Sequence, residues 1–352
     1  MDEAVTSRVA STASATAVTD WTAPGVFEVA PGVHRIPLPL PNDALRAVNV
    51  YALTGAGGLT VIDSGWALDL ARERLESALA TLGHALGDIS QFLMTHVHRD
   101  HYTQAVLLRR EFGTRVALGI GERPSLDLWA DGAELRLAPQ LRRLRRNGAA
   151  ALAATIERDA ARRGGDTPWE LPDEWLIPGD ITLAGRTLEA IPTPGHTRGH
   201  LCYRDADGGL LFAGDHVLPH ITPSIGFEPA VAALPLADYL QSLRLVRERP
   251  DSALLPAHGL PAPSVHARID ELLAHHSTRL QECEGASVAG AATAFEVATR
   301  LVWTRRGRTL AELDVFNQMM AVLETAAHLD VLVMRGRLRA EVRDGTTGYV
   351  PR

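Results

Sequence analysis

Short apolar runs alternate with helically spaced apolar positions along the first part of the chain. Residues 59–62 form an apolar run typical of a buried strand, and residues 68–82 place apolar side chains along one helix face. The order repeats when residues 91–94 are followed by a helical pattern over 104–112 and a strand-like run at 115–118. This alternation predicts an α/β fold in which helices cover a sheet.

The pattern changes between residues 124 and 170. Alanine, leucine and arginine dominate there and β-branched residues are few, which predicts a helical insertion of about 124–170. Strand-like runs bounded by Gly, Pro or Asp return afterwards, at 181–183, 187–191, 201–203 and 210–213. We therefore expect the α/β pattern to continue on the far side of the insertion.

The predicted boundaries divide the chain into three parts. Residues 1–24 are rich in Ala, Thr and Ser, and we predict a disordered or frayed lead-in. Residues 25–263 make up the α/β domain. Residues 264–352 read as helices followed by a short hairpin, which suggests a mainly helical, winged-helix-like domain that packs on the first domain or forms a wall of its pocket.

Composition narrows the class of protein. The 352 residues are 46% hydrophobic and 22% charged, and 35 Lys and Arg against 42 Asp and Glu give a formal net charge of −7. This balance argues against a nucleic-acid or anionic-membrane surface. Two distant cysteines cannot build a disulfide framework or a thiolate zinc cluster. Without an export signal or a long apolar run, we expect a soluble, cytoplasmic protein that does not associate with membranes.

Fourteen histidines are placed unevenly, and the densest group follows an apolar run. His96, His98, Asp100 and His101 lie within six residues. In extended backbone, alternate residues share one face, so the first two imidazoles can point the same way. Imidazole nitrogens and carboxylate oxygens are ligands that zinc and similar cations accept. The segment is therefore a candidate metal site.

Three more candidate ligands, His196, Asp215 and His258, each follow a strand-like run. Strand ends that converge on one edge of a sheet are where α/β proteins usually build their sites. The order and context of these segments resemble the five motifs of the metallo-β-lactamase superfamily, across residues 63–259. The resemblance implies an αββα sandwich.

Carried over residue by residue, the resemblance implies a centre with two divalent ions. His96, His98 and His196 would hold one ion, and Asp100, His101 and His258 the other. Asp215 would bridge the two ions, and Asp63 would support the histidine loop. Zinc is the default metal, while the ligand types leave iron and manganese open.

The implied chemistry is hydrolysis by a hydroxide that bridges the two ions, with Asp100 as the residue that orients it and carries its proton. The bridging Asp215 stands where some β-lactamases have cysteine, and His98 where flavodiiron proteins have glutamate. We therefore expect neither antibiotic hydrolysis nor oxygen reduction. The pattern is similar to hydroxyacylglutathione hydrolases, lactonases and acyl thioesterases, and predicts cleavage of a small acyl ester, lactone, or glutathione- or coenzyme-A-type thioester.

Two other functions stay open. One is a metal-dependent single-strand endoribonuclease, which the net charge disfavours; the other is a ligand-sensing regulator that binds DNA through its C-terminal domain. We expect a small, anionic substrate, and we leave homo-oligomerisation open.

A few further residues are assigned supporting roles. We expect His200 and His216 to support the ligands from behind or to line the pocket. His220 is expected to border the site, and contact between its side chain and substrate stays open. The basic cluster of the insertion is either a solvated helix face or a receptor for an anionic substrate tail. This cluster consists of Arg142, Arg143, Arg145, Arg146, Arg158, Arg162 and Arg163.

Overall fold

Two β-sheets form the centre of the molecule. The computed structural model describes residues 20–41, 44–55, 57–130, 137–160, 168–183, 185–304 and 306–352. The first sheet has seven strands in chain order: β1 (Phe27–Ala30), β2 (Val33–Pro39), β3 (Ala47–Gly55), β4 (Gly58–Ile62), β5 (Ile89–Met94), β6 (Arg115–Gly119) and β7 (Glu174–Leu176). The second has five: β8 (Gly179–Leu183), β9 (Arg186–Pro192), β10 (Leu201–Asp205), β11 (Leu210–Gly214) and β12 (Ala253–Pro256), in the order β12-β11-β10-β9-β8.

Helices cover both sheets, and a hairpin ends the chain. The helices are α1 (Asp69–Thr81), α2 (Arg99–Phe112), α3 (Arg123–Ala130), α4 (Ala138–Arg146), α5 (Ala150–Ala160), α6 (Pro235–Arg247), α7 (Val265–Val288), α8 (Ala294–Arg300) and α9 (Val315–Met334). The hairpin consists of β13 (Leu338–Arg343) and β14 (Thr346–Pro351). Within the described residues, no helix is long and apolar enough to cross a membrane.

The apolar faces of the sheets and helices determine how they stack in layers. Leu53 and Leu93 of the first sheet and Tyr203 and Phe212 of the second lie in one buried cluster between the sheets. Helices α1 and α2 pack on the outer face of the first sheet, while α6 and α7 pack on the outer face of the second. Because helices cover both sheets, strands such as β3 are buried on both faces and read as nearly continuous apolar runs. The predicted αββα sandwich is confirmed.

The main difference from the sequence prediction lies at the histidine segment. The apolar period predicts a helix from residue 104, but α2 begins at Arg99. Its first turn contains Asp100 and His101, whose polar side chains face the interior and so interrupt the apolar pattern. The helical period therefore appears only one turn later.

The helical insertion and the C-terminal helices share a core. Leu144 of α4 and Ile156 of α5 lie in one buried cluster with Met319 and Val322 of α9. Helices α7 and α9 also contribute to the cluster on the outer face of the second sheet. The C-terminal segment thus packs on the α/β part, which is one of the two placements predicted from the sequence; the other was a wall of the pocket. The divisions at 24 and 263 and the winged-helix comparison stay predictions, and residues 1–19 lie outside the described residues.

Candidate metal centre

Strand ends bring the predicted ligands together. Strand β5 ends at Met94, and His96 and His98 lie in the loop that follows, directly before the first turn of α2. Asp100 and His101 lie within that first turn. His196, Asp215 and His258 follow β9, β11 and β12 of the other sheet. The centre therefore lies at one end of the sandwich, where loops from both sheets meet.

The seven side chains form two adjacent groups. His96, His98, His196 and Asp215 offer ligand atoms that all lie within 4.8 Å of one another, and so do Asp100, His101 and His258. Each group could hold a metal ion.

Asp215 faces both groups. Its Oδ2 lies 3.4 Å from His196 Nε2, while its Oδ1 lies 3.3 Å from His258 Nε2 and 3.7 Å from His101 Nε2. One carboxylate thus presents a separate oxygen to each group, which is the placement required of a bridging ligand.

In the first group, one nitrogen of each imidazole ring makes a hydrogen bond away from the centre, and this decides which nitrogen carries the lone pair. His98 Nε2 and His196 Nδ1 lie 2.9 and 2.7 Å from backbone carbonyl oxygens, which can only accept. His96 Nδ1 lies 3.0 Å from the Thr95 hydroxyl, whose proton points to Asp63. The opposite nitrogens therefore carry lone pairs, and they face one another at 2.9–3.2 Å. Three converging lone pairs repel one another and suit a cation between them.

In the second group, buried ligand atoms without hydrogen-bond partners also indicate a place for a cation. His101 Nδ1 is 2.8 Å from Asp63 Oδ2, and His258 Nδ1 is 2.7 Å from the Ala47 carbonyl. The Nε2 atoms of both rings and Oδ1 of Asp215 are buried without a hydrogen-bond partner. Because buried polar atoms rarely stay unpaired, these residues fit a bound metal ion.

Burial and charge shift the pKa values of the cluster in opposite directions. Burial, followed by the neighbouring histidines, holds the pKa values of His96 and His196 well below the usual range. Burial also acts to lower the pKa of His101, but the carboxylates of Asp63, Asp100 and Asp215 overcome it and raise that pKa to about 10. A metal ion must therefore displace a proton from His101 when it binds.

Asp63 supports the loop through a strained backbone. It is buried, has a φ of 59°, and accepts hydrogen bonds from Thr95 N (2.8 Å) and His101 Nδ1 (2.8 Å). Aspartate tolerates this left-handed conformation better than most residues, and such strain concentrates at functional positions. Asp63 thus joins the strand end to the first turn of α2.

The three other predicted histidines differ in their positions. His200 is buried, and its Nε2 accepts from the backbone N–H of Asp215 at 3.2 Å, so it touches a candidate ligand from behind. His216 is buried against Tyr239, with ring centroids 5.2 Å apart, and belongs to neither group. His220 is exposed, and its ring lies close to Gly259, next to His258.

Much of the basic cluster is engaged within the protein. Arg143 donates to the Gly226 carbonyl at 2.9 Å, Arg145 pairs with Glu157 at 2.6 Å, and Arg146 donates to Thr347 at 3.0 Å. Arg162 and Arg163 lie outside the described residues.

The loop after β11 contributes residues that the sequence did not indicate. The carbonyls that bond His98 and His196 belong to Phe227 and Ser224. Phe227 also packs edge-to-face on Phe316 of α9, with ring centroids 5.5 Å apart, and Phe316 is 52% exposed. Any residue type offers a backbone carbonyl, so no pattern could have found these hydrogen bonds.

Fold and site together are those of a metallo-hydrolase. A family model described as "Metallo-beta-lactamase superfamily" matches residues 43–258. The chain belongs to this superfamily.

Two relatives match very different shares of the chain. A Bacillus subtilis (strain 168) protein described as "Probable metallo-hydrolase YqjP" is 27% identical over 315 residues, covering 85% of this chain and 90% of that protein. The "Atrochrysone carboxyl ACP thioesterase AgnL7" of Paecilomyces divaricatus is 31% identical over 101 residues, only 29% of this chain and 30% of that one.

Two crystal structures resemble nearly the whole chain. A metallo-β-lactamase family protein from Thermus thermophilus superposes with a TM-score of 0.76 at 29% identity, covering 92% of this chain and all of that one. A β-lactamase domain protein from Burkholderia ambifaria gives 0.77 at 28% identity, covering 93% and 94%. Both likenesses extend beyond residue 258, into the C-terminal helices.

Proposed function

We propose that the chain is a hydrolase of acyl esters or thioesters with two divalent ions, zinc by default. His96, His98 and His196 would hold one ion, Asp100, His101 and His258 would hold the other, and Asp215 would contribute to both sites. The observation that carries this proposal is the placement of the two Asp215 oxygens, one toward each group of ligands.

Bound divalent ions would lower the pKa of a coordinated water and polarise the carbonyl of the substrate. The chain's own contribution is proton handling at Asp100, whose Oδ2 lies 3.5 Å from His258 Nε2 and 3.7 Å from His101 Nε2. Burial opposes ionisation of Asp100, but His101 and His258 hold its pKa below the usual value. The carboxylate is therefore ionised at neutral pH, accepts the proton of the attacking water and passes it to the leaving group.

Aromatic and cationic groups beside the ligands support an acyl substrate on an anionic carrier. Phe227 packs 6.2 Å from the His98 ring, and the exposed Phe316 extends this apolar wall. Arg99 follows His98 and places its guanidinium 4.1 Å from the centroid of the Trp66 ring. The relative named as a thioesterase is consistent with a thioester, although it matches only 101 residues.

The test combines metal content with a substrate panel. The purified protein is dialysed against buffer with a fixed free zinc concentration, its metal is counted, and it is assayed with acyl-coenzyme A and acylglutathione thioesters, lactones, phosphodiesters and single-stranded RNA. We expect two ions per chain and thioester or ester hydrolysis that D215N lowers at least about 100-fold. Cleavage of RNA without ester hydrolysis, or less than one ion per chain, would contradict the proposal.

A matched control separates this loss from misfolding. Asp205 is a buried aspartate on β10 that accepts from Arg186 and from the Gly208 backbone N–H. D205N disturbs a comparable buried carboxylate away from the ligands, so it should keep both ions.

A further inference from the structure

Two buried glutamates lie behind the ligand loops and have no part in the hydrolysis described above. Glu122 follows β6 and Glu228 lies in the loop after β11; their exposed fractions are 0% and 1%. Glutamate is rarely buried so completely without a paired charge. No salt bridge involves either carboxylate in the part of the chain that the structure describes. Their complete burial must therefore be supported by hydrogen bonds.

Glu122 lies between two of the loops that carry candidate ligands. Its Oε1 accepts a hydrogen bond from the Thr197 hydroxyl, one residue after His196. The backbone N–H of Val97, between His96 and His98, is close enough to this carboxyl group to lower its pKa. The side chain is thus bonded to the loop of the third histidine and faces the loop of the first two.

Glu228 connects the third histidine loop to two further segments. Its Oε1 accepts from the backbone N–H of Arg198 at 2.8 Å, and its Oε2 accepts from the Ser125 hydroxyl of α3 at 2.7 Å. Its neighbour in the chain, Phe227, supplies the carbonyl that orients His98. Moving Glu228 would therefore move a hydrogen-bond partner of a ligand.

The backbones of these segments are already in close contact. A Cβ at Gly199 would lie 2.1 Å from the Glu122 nitrogen, so only glycine allows the histidine loop to approach this closely. The close approach holds the Glu122 backbone against the loop of His196.

We propose that Glu122 and Glu228 are positioning residues of the metal centre, which together hold His98 and His196 in the geometry that binds the first ion. This inference rests on the proposed ligand set but not on the proposed substrate. It concerns the affinity of the site for metal, which can be measured without any reaction.

Both buried carboxyl groups have raised pKa values. Burial and the neighbouring Glu228 raise the pKa of Glu122 well above the usual value, so the charged form of Glu122 is disfavoured. Burial raises the pKa of Glu228 to about 7, against the opposing effects of its hydrogen bonds and of Arg198 and Arg143. Arg198 also interacts with the carboxylate of Asp238, and Arg143 interacts with Asp330 and with Tyr349.

Three substitutions test the Glu122 contact, with zinc affinity measured by competition against a chromophoric chelator. E122A removes the acceptor and should weaken binding of the first zinc ion about 10- to 100-fold. E122Q keeps an uncharged acceptor for Thr197 and should stay within about threefold of the native affinity. T197V removes the donor instead and should reproduce the loss, which provides the test if E122A does not fold.

The pH profile tests Glu228. The ionised carboxylate of Glu228 accepts two charge-assisted hydrogen bonds, whereas the neutral amide of E228Q accepts only from Arg198 N and must donate to the Ser125 hydroxyl, so both contacts become weaker. A protonated Glu228 has the same limitation, so the ratio of native to E228Q affinity should be about tenfold at pH 8 and should fall toward one at pH 6. Taking the ratio cancels the protonation of the ligands themselves, which both proteins share.

D205N serves as the control for a buried carboxylate elsewhere, and it should leave zinc affinity unchanged. The proposal is overturned if E122A and T197V bind zinc like the native chain, if E122Q loses as much affinity as E122A, or if the E228Q ratio does not vary with pH. Failure of the substrate panel together with these affinity changes would refute the proposed hydrolysis and leave the positioning role standing.

Discussion

Replacing Asp63 by asparagine changes hydrogen bonding behind the second group of ligands while keeping the size and backbone tolerance of the side chain. Native Asp63 accepts from both Thr95 N (2.8 Å) and His101 Nδ1 (2.8 Å). Asparagine also tolerates the φ of 59°, so D63N does not add backbone strain. The substitution converts one acceptor oxygen into an N–H donor. In either orientation of the amide, its nitrogen therefore faces a native donor, Thr95 N or His101 Nδ1.

The magnitude follows from which contact is lost. With the amide oxygen kept on Thr95, the amide nitrogen faces His101 Nδ1, and the ring must move its proton to Nε2. That nitrogen then has no lone pair for the second ion, and the loss of a supporting partner of this kind costs about 10- to 100-fold in metal affinity. One hydrogen bond to a charged group is also lost, which lowers the free energy of unfolding of the metal-free chain by about 2 kcal/mol.

The assay is zinc stoichiometry and affinity at fixed free zinc, with urea unfolding of the metal-free proteins. We expect D63N to keep the first ion and to bind the second at least about tenfold more weakly, while D205N keeps both ions. Two ions bound to D63N with native affinity would show that Asp63 does not set the His101 tautomer, and the reasoning would fail.

Three other perturbations have defined outcomes. Removing bound ions with a chelator should lower the free energy of unfolding by about 2.7 kcal/mol per ion relative to protein held at free zinc 100 times the dissociation constant, and an unchanged urea midpoint would argue against a metal that stabilises the fold. G199A should destabilise the chain by about 3 kcal/mol or more, because its Cβ would lie 2.1 Å from the Glu122 backbone nitrogen; a native melting temperature would contradict this contact. F316A should raise the ratio of KM for octanoyl to KM for acetyl thioesters about tenfold, equivalent to about 1.4 kcal/mol of lost apolar contact. The control is V342A, which changes an exposed apolar residue of the hairpin and should leave this ratio unchanged.

The candidate ligands were accessible from the sequence because their chemistry and their position coincide. His96 and His98 alternate in extended backbone after a strand, and the other ligands also follow strand-like runs. Strand ends meet at one edge of a sheet, so local spacing alone predicts that distant side chains converge. The α/β class follows from the same alternation of apolar runs, whereas the αββα sandwich was implied by the resemblance to the metallo-β-lactamase superfamily.

Tertiary structure decided what supports these ligands. The carbonyls of Phe227 and Ala47 orient His98 and His258 across 129 and 211 residues of chain, and a carbonyl has no residue type that a pattern could reveal. No local pattern marks Glu122 and Glu228 as buried, since their burial arises only when separate loops close over them. The sequence by itself determined which side chains can bind metal; only long-range packing decided their orientation, their protonation and the wall beside them, because those depend on neighbours far along the chain.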